Sequence, residues 1–203
     1  MTCLDLQSQS LRESCIPVLE TERLILRAPV LEDAKHVAAL ANDKRIAENT
    51  RRIPHPYSRA DAEDFIATAN MPKSRGGPEA NFLITTRKGV PVGVCGIAND
   101  DEAMPEIGYW IGVPHWNKGY GTEAVRAVID FAFTELDHDV LQAGARVTNP
   151  ASRRILEKCG FQWTGVGLCR ILALHSSAPI DRFRLDRGLW TALRRWGAVK
   201  RVS

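Results

Sequence analysis

The sequence has no long apolar run and little net charge, and both absences exclude classes of protein. No stretch approaches the roughly 18 apolar residues of a membrane-spanning helix, and the N-terminus lacks the basic start and apolar core of a secretion signal. The net charge of +3 is too small to indicate nucleic-acid binding. We therefore expect a cytoplasmic protein with neither a membrane nor a nucleic acid as its partner.

The cysteines form no pattern typical of a metal site or a disulfide framework. They are odd in number and widely spaced, without a C-x-x-C pair or a cluster of histidines: Cys3, Cys15, Cys95, Cys159 and Cys169. Structural zinc sites and disulfide-rich domains need closer, paired spacings. The sequence predicts no bound metal and no disulfide.

Length and composition fit one domain. A chain of 203 residues with 44% hydrophobic and 25% charged residues is ordinary for a globular protein with a sizeable core. Residues 1–19 show no clear period and are expected to be a flexible extension. Residues 20–188 form the predicted domain. Residues 189–203 carry a basic cluster and are expected to be a solvated C-terminal tail.

Apolar periodicity predicts helices that alternate with strands. Helices are expected over residues 31–41 and 58–69, with Ser58 as a candidate cap for the second. Strands are expected over residues 23–27, 82–86, 90–97, 106–113, 140–147, 161–166 and about 182–186. Because helices lie between strands, the predicted class is α/β, or a mixed α+β sheet.

The segment WNKGYGTE, residues 116–123, joins an apolar run to a helix through two glycines, Gly119 and Gly121. Backbone N–H groups at glycines can approach a ligand closely, and the N-terminal end of a helix is positive. Thr122 is the candidate cap of this helix. Its predicted buried face has the helical spacing: Val125, Val128, Ile129 and Ala132. The pattern predicts a site for an anionic cofactor with phosphates.

Two common phosphate loops match this segment less well. A dinucleotide-binding G-x-G-x-x-G loop would need glycine at Ala124, and a Walker loop needs lysine after the second glycine, whereas Lys118 precedes the first. A glycine-rich turn that only starts a helix is the remaining interpretation of the local string.

A second motif, NPASRRILEKCGF, occupies residues 149–161 after another apolar run. Pro150 suits the first helical position, Asn149 the cap and Gly160 a left-handed stop. With both motifs in this order, the chain resembles the GNAT superfamily of acetyl-CoA-dependent N-acetyltransferases over about residues 20–187. The strings TERLILR and IPHPY, at residues 21–27 and 53–57, resemble the branch that acetylates ribosomal-protein N-termini.

This resemblance implies a fold and a co-substrate. The GNAT fold has a central, mostly antiparallel sheet, flanked by helices, in which the strands at residues 106–113 and 140–147 splay apart to admit acetyl-CoA. The implied cofactor contacts are Ile111, Gly112, Val113, Trp116, Asn117, Lys118, Gly119, Tyr120, Gly121, Thr122, Asn149 and Ser152. Backbone N–H groups of residues 118–122 fit the pyrophosphate. The strand end at residues 111–113 can pair with the pantetheine amides, and the N–H near Gly112 is expected to face the thioester oxygen.

Two catalytic residues are implied. Glu106 is the candidate base, directly or through water, because the attacking amine must lose a proton and family members often carry a carboxylate here. A solvated strand-end glutamate is the alternative. Many members protonate the leaving thiolate from a tyrosine, but Leu156 stands at that position. Ser152 is the candidate substitute, and its alternative is a cap residue. Tyr109 and Trp110 alternate, so that one faces the core and the other the cleft.

The acceptor is expected to be a primary amine that attacks the thioester directly, either a protein N-terminus or a small molecule such as an aminoglycoside, a polyamine or an amino acid. Candidate acceptor contacts are Arg51, Arg52, His55 and Tyr57, and a second loop is expected at residues 175–179. Two alternatives stay open: an acyl-CoA-binding module without turnover, and a nucleotide-binding enzyme of another fold. A homodimer is expected as the commonest oligomer.

Overall fold

The computed structural model describes residues 16–69, 80–98 and 104–197. Within these ranges the strands are β1 (Leu19–Glu20), β2 (Leu24–Arg27), β3 (Ala80–Thr86), β4 (Pro91–Ala98), β5 (Glu106–Ile111), β6 (Val140–Arg146), β7 (Gln162–Ile171) and β8 (Ser176–Asp186). They form one sheet in the order β1-β2-β3-β4-β5-β6-β8-β7. The β5–β6 pair is parallel and the other pairs are antiparallel. The predicted mixed, mostly antiparallel sheet is confirmed.

The helices are α1 (Ala34–Ala41), α2 (Lys44–Ala47), α3 (Arg59–Thr68), α4 (Tyr120–Thr134), α5 (Pro150–Lys158) and α6 (Arg187–Gly197). They cover both faces of the sheet. One core packs α1 and α3 against β3 and β4. The larger core packs α4 against the opposite face, and the four predicted residues of its buried face are at most 2% exposed. Among the described residues, no helix is long and apolar enough to cross a membrane.

Helix starts follow the local sequence at two of three predicted sites. Ser58 caps α3 by accepting a hydrogen bond from the Asp61 N–H, and Asn149 caps α5 by accepting from the Ser152 N–H at 3.1 Å. The prediction for α4 is wrong. This helix begins at Tyr120 with Gly119 as its cap, in a left-handed conformation with φ of 80°, and Thr122 lies inside its first turn.

The chain ends differ from the sequence prediction. Part of the expected tail forms α6, because the Trp190 ring packs 5.1 Å from the Phe133 ring and its indole N–H donates to Asp130 at 2.8 Å. Residues 198–203 lie outside the described residues. At the other end, Ile16 packs against the larger core, and β1 pairs with β2. The ordered part therefore starts before residue 20, while residues 1–15 lie outside the described ranges.

The C-terminal hairpin is longer than predicted. β7 and β8 pair from Gln162 to Ile171 and from Ser176 to Asp186, so that residues 176–179, expected in a loop, belong to a strand. Only His175 of that expected loop lies in the turn, with φ of 50°. Period-2 apolar alternation is a weak signal here because much of β7 is exposed.

Candidate active site

A gap opens between β5 and β6 in the middle of the sheet. The two strands pair only at Glu106 with Gln142 and at Ile107 with Ala143. Beyond Ile107 they diverge, while β5 stays paired with β4 as far as Ile111. The C-terminal half of β5 therefore has one edge that no strand covers. This is the splayed arrangement expected from the sequence.

The edge of β5 at this gap presents backbone groups. The Gly112 N–H donates to the Val92 carbonyl at 2.8 Å, on the β4 side. Because hydrogen-bonded positions alternate in an antiparallel ladder, the N–H groups of Tyr109 and Ile111 point the other way, toward the gap. Of the N–H groups near Gly112, where a donor to the thioester oxygen is expected, that of Ile111 points toward the gap and that of Gly112 does not.

The glycine loop leads from the end of β5 into α4. Asn117 and Gly119 both have positive φ, of 60° and 80°, which turns the chain sharply into the helix. The N–H groups of residues 120–122 lack intrahelical acceptors, as in any first helical turn, and Gly119 supplies no side-chain cap. The loop thus leaves backbone donors and a positive helix end for an anion.

Trp116 and Gly121 have structural roles in this loop. The Trp116 indole N–H donates to the Ile111 carbonyl at 2.6 Å, and the ring lies under the Arg45 guanidinium at 5.7 Å. A Cβ on Gly121 would lie 2.9 Å from Ile155 Cδ1, so glycine allows α4 to approach α5 closely. Gly121 is therefore needed for packing as well as for access.

Arg23, directly before β2, and Glu123, in the first turn of α4, hold the glycine loop in place. Arg23 donates to the Lys118 carbonyl at 2.9 Å and pairs with Glu123 at 2.6 Å, while the Thr21 hydroxyl also donates to Glu123 at 2.6 Å. Burial raises the pKa of Glu123, but the hydrogen bonds from Thr21 and Arg23 outweigh this and hold its pKa below the usual value. The pattern of residues 21–27 did not predict these contacts with Lys118 and Glu123.

At the start of α5, Ser152 meets a tyrosine from β5. The Tyr109 hydroxyl lies 2.9 Å from Ser152 Oγ and 3.1 Å from the Ser152 carbonyl, to which it donates. Burial raises the pKa of Tyr109 well above its usual range. Leu156 is fully buried and carries no proton to donate. Tyr109 faces the α4 side of the sheet, whereas Trp110 packs against α1 and α3.

A cavity of about 610 Å³ lies over the other face of the central strands. Its floor consists of small residues from β4, β5 and β6: Gly96, Ala98, Gly108 and Gly144. A Cβ on Gly108 would have no neighbour within 4 Å. The walls include Arg51, Arg52 and Tyr57, as expected, but not His55. The absence of side chains along these strands creates the cavity.

Glu106 lies in this cavity at the base of the gap. Its side chain is 42% exposed, and the Arg51 guanidinium approaches it to 3.5 Å. Its Oε1 lies 3.5 Å from the position of a Cβ on Gly144, so it extends across β6. A second cavity, of about 460 Å³, adjoins the first and shares Glu106 with it. Glu106 thus stands where both cavities meet the splayed strands.

Residues 23–162, most of the chain, match the family model of the GNAT acetyltransferase domain. The chain belongs to the GNAT family.

Relatives and solved structures agree with this membership. The uncharacterized N-acetyltransferase p20 of Bacillus licheniformis is 31% identical over 150 residues, which cover 73% of this chain and 84% of p20. A GNAT acetyltransferase from Bacillus anthracis has the same fold, with a TM-score of 0.71 and 22% identity over 84% of this chain and 98% of that one. Spermidine N-acetyltransferase from Vibrio cholerae, solved with CoA and spermine, gives a TM-score of 0.68 and 19% identity, over 84% of this chain and 99% of that one.

This GNAT protein is an acetyl-CoA-dependent N-acetyltransferase. The alternative hypothesis from the sequence, a nucleotide-binding enzyme of another fold, is wrong. Among the described residues, no group of three or more His, Cys, Asp or Glu side chains could hold a metal ion.

The GNAT fold brings the sequence-predicted residues to both sides of one opening. The loop of residues 116–122 and the start of α5, with Asn149 and Ser152, lie on the α4 side, and Glu106 lies in the cavity on the other face. Sequence reasoning missed Tyr109 as the partner of Ser152 and missed the glycine floor. Each depends on contacts between elements far apart in the chain, which no local pattern reveals.

Proposed function

We propose that the protein acetylates the N-terminal amine of a peptide by direct attack of the amine on the thioester of acetyl-CoA. The observation that carries this proposal is the open, glycine-floored cavity in which Glu106 meets the gap between β5 and β6. An amine entering from the cavity face reaches the gap from the side opposite α5. Donor and acceptor would thereby approach from different faces of the sheet.

Acetyl-CoA fits the α4 side of the gap. The backbone donors of the glycine loop, residues 118–122, would hold the pyrophosphate, and Lys118 would add charge. The uncovered edge of β5, at Tyr109 and Ile111, would pair with the pantetheine amides, and Asn149 would contact the same arm. When bound, acetyl-CoA supplies an acyl carbon that its thioester activates. The Ile111 N–H is then the candidate donor to the carbonyl oxygen, where one aimed hydrogen bond lowers a barrier by about 3 kcal/mol.

Glu106 would accept the proton of the amine, directly or through one water. Its carboxylate is partly exposed and lies 3.5 Å from the Arg51 guanidinium. The position at the base of the gap, between the cavity and the splayed strands, supports this role. A carboxylate that only terminates a strand would not need to stand at that junction.

Ser152 and Tyr109 would stabilise the leaving thiolate through hydrogen bonds. Ser152 alone was the candidate from the sequence, and the Tyr109 hydroxyl lies 2.9 Å from its Oγ with a proton that burial keeps on the phenol. As the C–S bond breaks, Ser152 would donate a hydrogen bond to the sulfur and accept one from Tyr109, and the sulfur would leave as the thiolate without taking a proton from either hydroxyl. Because a thiol leaves tolerably at neutral pH, this donor need not be strong.

A covalent acetyl-enzyme is not needed. Cys95 and Cys159 are buried, and burial raises the pKa of Cys159 to about 11 and that of Cys95 further still. A thiol that stays protonated is a poor nucleophile. Direct attack therefore fits the site better than a two-step route.

A small-molecule amine is the second candidate, since a cavity of about 610 Å³ also suits a compact ligand. Release of free thiol separates the two classes. Purified protein with acetyl-CoA would be offered hexapeptides with free N-termini, the same peptides with a blocked N-terminus, spermidine and single amino acids. We expect turnover only with free peptide N-termini, with the acetyl group located on the α-amine by mass spectrometry. Turnover with small amines but with no peptide would overturn the peptide assignment.

A further inference from the structure

The smaller cavity beside Glu106 is strongly basic. Four arginines line it, two from the segment after α2 and two from the C-terminal hairpin: Arg51, Arg52, Arg170 and Arg182. Glu106 is the one carboxylate among its described lining residues. Arg51 pairs with Glu106 at 3.5 Å, whereas the two hairpin arginines, Arg170 and Arg182, add positive charge beside a site for an amine, which is unfavourable unless the ligand brings negative charge.

The hairpin holds one of these arginines against its surface. The side chain of Arg182 lies across Gly167 of β7, where a Cβ would collide with its guanidinium. Because side chains alternate along a strand, Arg182 and Ile180 share the face of β8 that lines the cavity. In the parts of the chain that the structure describes, neither Arg170 nor Arg182 forms an ion pair with a carboxylate.

The wall of the larger cavity that α3 forms carries negative charge. Asp61 and Asp64, from α3, line the larger cavity, and Asp61 is held by hydrogen bonds from the Ser58 hydroxyl and N–H. Glu106 stands between this acidic wall and the basic hairpin. A ligand that spans both cavities therefore meets carboxylates at one end and guanidinium groups at the other.

We infer that the acceptor carries an anionic group a few residues or bonds away from its amine, and that Arg170 and Arg182 bind this group. An acidic peptide N-terminus, with Asp or Glu soon after the first residue, has this chemistry, and so does a small amine that bears a carboxylate. Guanidinium groups bind carboxylates through paired, charge-assisted hydrogen bonds. The inference rests on the proposed function, because it assigns a ligand to the same site.

This charge pattern disfavours a polycation. A polyamine would place further positive charges beside the four arginines, where each like-charge contact is unfavourable. The V. cholerae enzyme of similar fold acts on spermidine, so the fold alone does not determine the acceptor. The basic hairpin thus distinguishes acceptors that the fold does not.

The test compares three peptides of equal length and identical first residue, followed by two acidic, two neutral or two basic residues. The kcat/KM values would be measured for the wild type, Arg170→Gln, Arg182→Gln and Arg184→Gln. Arg184 is exposed on the same strand, two residues from Arg182, and lines neither cavity, so it is the matched control. Gly167→Ala is a second variant that keeps Arg182 and displaces its guanidinium.

We expect the wild type to prefer the acidic peptide to the neutral one by about tenfold, the effect of about 1.4 kcal/mol. Arg170→Gln, Arg182→Gln and Gly167→Ala should reduce that preference toward unity, with kcat/KM for the neutral peptide and acetyl-CoA affinity unchanged. Arg184→Gln should retain it. Equal use of all three peptides by the wild type, or an equal effect of Arg184→Gln, would overturn the inference.

Two small amines separate this inference from the proposed function. If no peptide is acetylated, glycine and glycinamide are compared as acceptors, since an amide replaces the carboxylate. Because the amide also makes the amine less basic, the rates are compared per neutral amine. A preference for glycine that Arg182→Gln abolishes would support the anion site and contradict the peptide acceptor. Equal use of glycine and glycinamide would contradict both.

Discussion

The Tyr109 hydroxyl lies 2.9 Å from Ser152 Oγ, which joins the middle of β5 to the first turn of α5 across the splayed strands. The pair stands on the side of the gap where the glycine loop and Asn149 also lie. Leu156 stands where many family members have a tyrosine, and here a phenol from a different element lies near the start of the same helix. In the proposed mechanism these two hydroxyls take the place of that single donor.

Tyr109→Phe should therefore lower kcat by about tenfold without changing acetyl-CoA affinity, because the variant loses only the hydroxyl. A hydrogen bond to charge that develops in the transition state contributes about a hundredfold or more, but a thiol is a good leaving group, so we expect the smaller value. Ser152→Ala should show a similar loss, and the double variant no more than either single one, since both hydroxyls act in one hydrogen-bonded chain. Steady-state thiol release checks this. Additive losses would show that the two residues act separately.

Glu106→Gln should reduce kcat/KM at neutral pH by about a hundredfold, because the amide cannot take the proton of the amine. The loss should shrink above about pH 8.5, where a peptide α-amine, with a pKa near 7.7 to 8.0, is already neutral. Asp64→Asn removes a carboxylate from the same cavity and is the matched control. A pH–rate profile of Glu106→Gln parallel to that of the wild type would exclude Glu106 as the base.

Gly108→Val should block the acceptor while leaving the fold intact. A Cβ at Gly108 meets nothing within 4 Å and would project into the cavity, and valine is favoured in strands. We expect KM for the amine to rise by about tenfold or more, with the affinity for acetyl-CoA and the melting temperature unchanged. Gly96→Val is the contrasting variant, since its Cβ would lie 2.6 Å from the Ala80 carbonyl and should destabilise the protein. An unchanged amine KM in Gly108→Val would place the acceptor elsewhere.

Glu123→Gln should destabilise the protein in a pH-dependent way. The folded-state pKa of Glu123 is held below its usual value, so its stabilisation is present above about pH 4.5 and is lost as the pH falls through the folded-state pKa. We expect a loss of about 1 kcal/mol in the free energy of unfolding near neutral pH, which shrinks in acid. Denaturant titrations at several pH values measure it. Glu157→Gln breaks an exposed pair with Arg153 and should cost less; a pH-independent loss for Glu123→Gln would contradict the account.

Local signals in the sequence predicted those features that depend on neighbouring residues. The caps at Ser58 and Asn149 and the buried face of α4 follow from short-range hydrogen bonding and helical periodicity, and the structure confirms them. Thr122 failed as a cap because Gly119 can adopt a left-handed conformation and start the helix earlier. Here a glycine directly before the first helical residue outweighs a threonine three residues later.

Features that arise from sheet topology could not be predicted in this way. Arg182 reaches the cavity with Arg51 because β8 lies between β6 and β7, and Glu106 contacts the surface above Gly144 only because β5 pairs with β6 at that point. Helix α6 was missed because its stability depends on docking Trp190 against α4. Pairings between residues far apart in the chain require the fold itself.

Calorimetric titration with acetyl-CoA tests most directly whether the glycine loop binds the pyrophosphate. The wild type is compared with Lys118→Glu in that loop and with Lys158→Glu, an exposed control at the end of α5. We expect the wild type and Lys158→Glu to bind acetyl-CoA with micromolar affinity. Binding by Lys118→Glu should be weaker by about tenfold or more, since the substitution puts a negative charge beside the pyrophosphate. Absence of acetyl-CoA binding by the folded wild type, or equal binding by all three proteins, would contradict pyrophosphate binding by the loop.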